Sequence, residues 1–213
     1  MQRTTEDHFK LYNTYQLVIE RCQEINSGGD LWDKYLNTIY PNNGRTVFQN
    51  RHEKIIHCYE GLDNLVGRGL ELAFDFCSSV IWLIKRYPNI IMDGIDICEH
   101  LTKIIPYLKE FGGKQIGDFW IGDCQNTGKP DNYYDFINAC SIFEHFPDNI
   151  YNNVAKECYR ILKPGGLMFV YLDQFGPKDM DEQHCHQETP EETRERMKPF
   201  GFIPVNNYRY RKL

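Results

Sequence analysis

No stretch of this 213-residue chain approaches the roughly 18 consecutive apolar residues that a membrane-spanning helix requires, which argues against an integral helical membrane protein. The opening MQRTTEDHFK is polar and lacks the apolar centre of a secretion signal. An excess of positive charge is also missing. Thirty acidic side chains against 24 basic ones leave a net charge of −6, too negative for the broad cationic surface that displaces counterions from nucleic acid. The one basic–aromatic cluster, Tyr208 to Lys212, reads more simply as a solvated terminal strand.

Cysteine is present but unpatterned. Eight residues, at 22, 58, 77, 98, 124, 140, 158 and 185, include no CxxC pair, so neither a disulfide framework nor a zinc site is indicated. Free thiols without a secretion leader predict a reducing, cytoplasmic location. His184-Cys185-His186, with Asp179, Asp181 and Glu182 nearby, has the right residue types for a metal but no second cluster to complete it. We expect no metal and read this stretch as a loop facing solvent or a substrate. Internal repeats and low-complexity segments are absent.

A hydrophobic fraction of 41%, with 14% aromatics, fits a globular chain long enough for one well-buried domain. The leading third is helical in pattern: residues 4–25, then Asp30–Tyr40, then Phe48–Leu62, punctuated by Ser27-Gly28-Gly29 and Pro41-Asn42-Asn43-Gly44. From residue 68 the texture alternates. Strands are expected at 68–73, 90–95, 115–121, 134–140 and 167–172, with helices at about 77–87, 98–110 and 149–161. Lys163-Pro164-Gly165-Gly166 is expected to open the fifth strand as a turn, and Gln125–Asn132 is a polar loop.

A long loop, 173–188, precedes a helix signalled by Thr189-Pro190-Glu191-Glu192, and a tight hairpin turns at Asn206-Asn207. The expected fold is therefore α/β: a doubly wound sheet, mostly parallel, with an antiparallel C-terminal hairpin and preceded by N-terminal helices. Residues 1–64 would form a helical cap or lid, and residues 65–213 the sheet domain, the two making a single compact unit.

The densest signal lies in residues 70–96, LELAFDFCSSVIWLIKRYPNIIMDGID. Two short apolar runs carry acids at their ends, Glu71 and Asp96, with a helix-length segment between them. This is the frame on which α/β proteins bind a nucleoside at the carboxyl ends of their strands. Asp96 followed by Ile97 ends the second strand, where a carboxylate can accept both hydroxyls of a ribose. Asp123 followed by Cys124 comes after the third, where a carboxylate can accept an adenine amino group. Backbone after the first and fourth strands, at Ala73, Asp75, Cys77 and Cys140, would cradle the remainder of the ligand. The turn after the first strand ordinarily carries glycines for close approach and positive φ, and Ala73, Asp75 and Cys77 stand there instead. Asp96 has an alternative use as a cap for the helix that follows it, and Asp123 as an ordinary turn residue.

These segments resemble the class I S-adenosylmethionine-dependent methyltransferases. LELAFDFCSS stands where that family has a strand, an acid and a Gly-x-Gly-x-Gly loop; GIDIC resembles its ribose-binding strand end, and IGDCQN its adenine-binding turn. YDFINACSIFEHFPD is similar to its fourth strand followed by Leu-Glu-His, ILKPGGLMFV to its fifth-strand entry, and Glu191–Val205 to its last helix and Gly-Phe strand start. The resemblance spans about residues 65–205. It implies a Rossmann-like fold, S-adenosylmethionine as cofactor and in-line methyl transfer to a small-molecule or metabolite acceptor. In the family the acid at the position of Glu71 commonly organises the first loop.

Glu144 and His145 are the candidates for catalysis on the acceptor side, since an imidazole can take the proton that an acceptor must lose. The alternative is a helix-start pair that ties the loop to the fold. Trp32, Tyr35, Tyr40 and Phe48 could line an acceptor pocket or belong to a helical core. The Asn-Pro-Pro-Tyr signature of amino-group nucleic-acid methylation is absent, Asn138-Ala139-Cys140-Ser141 standing in its place, so a small-molecule partner is expected rather than nucleic acid or membrane, with a homo-oligomer compatible. The rival reading is a methyltransferase-like fold that has lost catalysis and serves as a binding or scaffold protein. A nicotinamide-dependent enzyme fits less well, for it needs the same missing glycines.

Overall fold

A computed structural model of the chain describes residues 55–74, 77–99, 105–172 and 185–213. The expected helices at 4–25 and 30–40, the first part of 48–62, Asp75, the start of 98–110 and most of the 173–188 loop lie outside the described residues.

Seven strands form one sheet in the order β3-β2-β1-β4-β5-β7-β6. They are β1 (Gly67–Leu72), β2 (Ile90–Asp96), β3 (Ile116–Ile121), β4 (Tyr134–Cys140), β5 (Leu162–Tyr171), β6 (Phe202–Pro204) and β7 (Arg209–Lys212). Strands β1 to β5 pair in parallel, whereas β7 runs antiparallel to both β5 and β6. The C-terminal hairpin is thus present, but its last strand enters the sheet between β5 and β6 instead of forming the edge. The turn is also longer than the two asparagines suggest: the Val205 and Asn206 amides both donate to the Arg209 carbonyl, and Asn206 Oδ1 accepts the Tyr208 amide.

Helices cover both faces. α1 (Ser78–Arg86) follows the turn after β1 and buries Val80, Ile81, Leu83 and Ile84 at helical spacing. Lys85 and Arg86 in its last turn suit the negative end of its dipole, and Pro88 prevents its continuation. With α2 (Ile105–Gly112) and a helical segment at 55–59, α1 packs one face around Phe136, Phe169 and Met92. The opposite face carries α3 (Asp148–Ile161), which buries Tyr151, Val154, Ala155, Cys158 and Ile161 against Leu70, Ile137 and Met168. Each large apolar side chain enclosed in this way contributes roughly 1.5–3 kcal/mol. α4 (Pro190–Met197) begins at the Thr189-Pro190-Glu191-Glu192 signature, where Thr189 and Glu192 form a capping box and satisfy each other's free amides. Ile55, Cys58 and Tyr59 lie in the same buried cluster as Leu65, so the core continues across the division expected at residue 64.

The Lys163–Gly166 segment departs from expectation. β5 already begins at Leu162, paired with Tyr134, and the register then jumps to Phe136 opposite Leu167. The four residues form a bulge inside the strand. Gly165 takes φ +79°, and a Cβ on Gly166 would meet the Lys163 and Asp135 carbonyl oxygens at 2.8 and 2.9 Å.

The basic–aromatic tail is a strand but not a solvated one: Arg209, Tyr210 and Lys212 are buried, because β7 lies inside the sheet. Arg209 donates to the Cys58 and Glu60 carbonyls at the end of the 55–59 helical segment, and Lys212 to the Tyr159 carbonyl in the last turn of α3. One buried carboxylate escaped the sequence reading. Asp93, fully enclosed within β2, accepts two bonds from Arg68 at 2.8 Å, the Tyr134 hydroxyl at 2.9 Å and the Asp118 amide at 2.9 Å. It ties together the amino-terminal halves of β1, β3 and β4. Among the described residues no helix is long and apolar enough to cross a membrane.

Candidate functional site

Strand order reverses between β1 and β4, and in such sheets the crevice beyond the carboxyl ends at that junction is where a ligand fits. Most of the residues expected at a nucleoside site converge there.

The turn after β1 is the first component. The Ala73 amide donates to the Ile95 carbonyl at 2.8 Å and the Cys77 amide to the Phe74 carbonyl at 2.6 Å, which folds the chain sharply into α1. Ala73 has φ 52° and Cys77 φ 59°, the left-handed conformation that glycine adopts without strain. The side chains have therefore not abolished the positive-φ backbone, contrary to the expectation from the missing glycines. Phe74 packs beneath the turn, 2% exposed and edge-on to Phe119 with centroids 5.1 Å apart. Gly94 makes room for that pair, because a Cβ there would stand 2.4 Å from the Phe119 ring and 2.9 Å from Phe74.

Glu71 is 3% exposed and faces inward across the sheet. The Asn138 side-chain amide donates to both of its oxygens, at 2.9 and 2.8 Å. Burial pushes the Glu71 carboxyl up to about 8, against the opposing effect of hydrogen bonds from Asn138 and Ser79. Asn138 Oδ1 in turn accepts the Tyr59 hydroxyl at 2.8 Å and the Cys140 thiol at 3.2 Å. Cys140 and Cys58 lie with their sulfurs 3.4 Å apart. The sequence assigns neither Asn138 nor Tyr59 a place in the site. The available signal was one asparagine inside the apolar run YDFINAC.

Asp96 ends β2, 9% exposed, with Oδ1 accepting the Cys98 amide at 2.9 Å. That bond is the turn-forming use of an aspartate. Ile97 beside it is 73% exposed, an apolar surface at the mouth of the crevice. The Gly122 amide donates to the Asp96 carbonyl at 2.8 Å, which brings the turn after β3 alongside. Asp123 is exposed, and Gln125 engages both of its oxygens through its backbone amide and its side chain. Burial, followed by the nearby Asp123 and Asp96 charges, pushes the half-buried Cys124 thiol up to about 12, so it stays protonated. The loop beyond is held to α3 by Glu157, which accepts the Thr127 amide at 2.8 Å and hydroxyl at 2.6 Å and pairs with Arg160.

After β4, Ser141 takes φ 57° and its amide donates to the Tyr171 carbonyl at 2.7 Å. A short helical turn, Phe143–His145, follows. Its Glu144 side chain is enclosed, while His145 is half-buried. The Glu144 carbonyl accepts the Cys185 and His186 amides, and the Cys185 thiol donates to the His145 carbonyl at 3.5 Å. Arg196 fastens this returning chain: it bonds Glu188 and Asp148 and lies 4.1 Å from the centre of the Tyr151 ring. Among the described residues no three His, Cys, Asp or Glu side chains come together as a metal site. A cleft of about 490 Å³ between Lys109 and Lys129 flanks the outer edge of β3, lined by Phe119, Trp120 and Thr127 among others.

Residues 76–170 match the family described as the methyltransferase domain. Methyltransferase tpcH of Aspergillus fumigatus is 30% identical over 73 residues, which is 34% of this chain, and the chain spans only 25% of that relative's length. Among solved structures, the [4+2]-cyclase SpnF is similar at a TM-score of 0.62 and 17% identity, over 95% of this chain and 74% of its own. Phosphoethanolamine N-methyltransferase 2 of Haemonchus contortus, solved with S-adenosyl-L-methionine, is similar at a TM-score of 0.60 and 16% identity, over 80% of this chain and 41% of its own. At such identities the likeness is one of fold.

Proposed function

We propose that this chain, whose residues 76–170 match the methyltransferase-domain family, is a class I S-adenosylmethionine-dependent methyltransferase acting on a small-molecule or metabolite acceptor. The observation that carries this reading is the turn from Ala73 to Cys77. It retains left-handed backbone at both ends despite its side chains, and it lies between Glu71 and the start of α1. Positive φ at these two positions keeps the backbone conformation that glycine ordinarily supplies in such a turn. A buried carboxyl at Glu71 and an aspartate closing β2 also suit a ligand with a cationic end and a ribose.

When bound, S-adenosylmethionine supplies a sulfonium methyl group for in-line displacement by a nucleophilic acceptor. In this assignment Asp96 accepts the ribose hydroxyls and Ile97 offers its exposed face to the flat adenine. Asp123 and Cys124 border the adenine edge, where Asp123 would exchange its Gln125 contact for the amino group. Backbone at Ala73, Asp75, Cys77 and Cys140 borders the remainder. His145, the half-buried member of its turn, is assigned the acceptor's proton. Glu144 is assigned a positioning role, because its carbonyl anchors Cys185 and His186. Residues 1–64 and the 173–188 loop are assigned to closing over the acceptor, with residues 65–213 as the cofactor domain. The acidic net charge and the small acceptor in the name of the Haemonchus enzyme favour a metabolite.

The test is turnover. Purified protein is incubated with methyl-labelled S-adenosylmethionine and pools of amines, carboxylic acids, phenols and thiols, and label transfer and S-adenosylhomocysteine are both measured. Transfer that depends on one pool supports the proposal. Tight cofactor binding without transfer to any pool would favour the scaffold reading.

A further inference from the structure

Glu71 and Asn138 are register partners on β1 and β4, so their side-chain pair bridges the junction at which strand order reverses. Tyr59 reaches the same point from outside the sheet. Its ring stacks on Phe169 with centroids 4.0 Å apart and an interplanar angle of 18°, and its hydroxyl donates to Asn138. The chain of bonds therefore runs from the 55–59 helical segment, through Asn138, to an enclosed carboxyl two residues before Ala73. Asn138 is oriented with its oxygen toward the Tyr59 and Cys140 donors and its nitrogen toward the two Glu71 oxygens.

The hydrogen-bond partners that act on the Glu71 carboxyl, Asn138 and Ser79, are both neutral. A carboxylate taken from water without a positive partner is strongly disfavoured, and the group holds its proton instead. A ligand that brought a positive charge to this strand end would reverse that balance. S-adenosylmethionine has two such charges, a sulfonium and an ammonium.

We propose that Tyr59 and Asn138 are positioning residues for the cofactor, holding the Glu71 carboxyl at the turn so that it becomes the counter-charge of the cofactor's cationic end. This rests on the methyltransferase reading above. No covalent step is involved: binding the cation releases the Glu71 proton to solvent. Besides Glu71, the titratable groups at this point are Tyr59 and Cys58 from the helical segment, Cys140 from β4 and, beyond it, Glu144. Burial lifts Tyr59, and the Cys58 contact together with burial lifts Cys140, well above their ordinary values, so both stay neutral where Glu71 changes charge.

Calorimetric titration of S-adenosylmethionine and S-adenosylhomocysteine between pH 6 and 9, in buffers of differing ionisation enthalpy, tests this. S-adenosylhomocysteine keeps the ammonium but lacks the sulfonium, which makes the neighbouring ammonium more acidic, so the ligands' own titration is measured on Glu71→Gln and subtracted. For the wild type, the preference for S-adenosylmethionine should rise with pH and level off near pH 8, with proton release on binding below that point. Tyr59→Phe should weaken S-adenosylmethionine about fivefold to tenfold and move the plateau to higher pH, because an Asn138 amide without its anchor donates less well. Glu71→Gln should show neither this rise nor this release, leaving only the ligands' own titration. The proposal is overturned if wild-type binding releases no proton, or if Tyr59→Phe changes only the melting temperature and leaves the affinity ratio and its pH profile intact. Failure of the wild type to bind either compound at any pH would instead overturn the methyltransferase reading itself.

Discussion

Ala73 and Cys77 stand at the two ends of the turn after β1 with nearly the same left-handed backbone, φ 52° and 59°. A side chain in that region costs about 1–2 kcal/mol relative to glycine. Glycine also raises the entropy of the unfolded chain, offsetting about 0.4–1 kcal/mol. Ala73→Gly should therefore stabilise the protein by about 0.5–1 kcal/mol without weakening cofactor binding, as read by denaturant unfolding and calorimetry. Cys77→Gly should give little net gain, because Cys77 is 1% exposed and its burial is lost. Destabilisation by Ala73→Gly would mean that the turn is not held in this conformation.

Glu71 makes stability depend on pH in the alkaline direction. Its carboxyl sits at about 8 in the folded chain, above the ordinary 4.5 of the unfolded one. The folded state then binds the extra proton between those values, so stability falls as pH rises through that window and levels off above it. Each pH unit within the window corresponds to about 1.4 kcal/mol. Relative to Glu71→Gln, the ligand-free wild type should lose melting temperature from pH 5 to pH 8. Parallel melting curves for the two proteins would contradict this.

Glu157 has the opposite sign. Burial opposes its ionisation, but Arg160 and the Thr127 hydroxyl and amide outweigh it and hold the carboxyl below its ordinary value. Its contribution is present at neutral pH and disappears as pH falls through that lowered value. Glu157→Ala should cost about 1–3 kcal/mol at pH 7, since Thr127 and Arg160 lose a buried partner, and the deficit should narrow in acid. Chemical unfolding at pH 7 and pH 3.5 checks both statements.

Asp93→Ala should be far more damaging. Removing a fully enclosed carboxylate strands Arg68 and the Tyr134 hydroxyl, a loss on the order of 3–5 kcal/mol. Asp93 lies three residues before the strand end at Asp96, about 10 Å along β2. The protein that remains folded should bind cofactor as the wild type does, so thermal unfolding should change while affinity per folded molecule does not.

These contrasts show what the sequence could and could not reveal. The βα alternation was legible because each element carries its own apolar period and its own stop, such as Pro88 after α1 and the Thr189 signature before α4. Strand-end acids were legible because position along a strand fixes which end of the sheet a residue occupies. Long-range partners were not. Asp93 reads as a polar interruption in an apolar strand until Arg68 and Tyr134 arrive from neighbouring strands. Asn138 reads likewise until Tyr59 does. The insertion of β7 between β5 and β6, and the bulge at Lys163–Gly166, are set by pairing register, which no local pattern encodes. The backbone of the first turn is hidden from local pattern for a related reason. Local preference opposes positive φ at Ala73 and Cys77, and the fixed geometry between β1 and α1 overrides it.

The central claim is that the strand-end acids form a site for S-adenosylmethionine. It is tested most directly by calorimetry of S-adenosylhomocysteine binding to the wild type and to Asp96→Ala at pH 8. The account predicts one site per chain in the wild type and an affinity about 10–100-fold weaker in the variant, the worth of two hydroxyl bonds to a carboxylate. Ligand-free stability should fall by no more than about 1 kcal/mol, for the lost Cys98 amide contact. Equal binding by both proteins, or none by either, would contradict it.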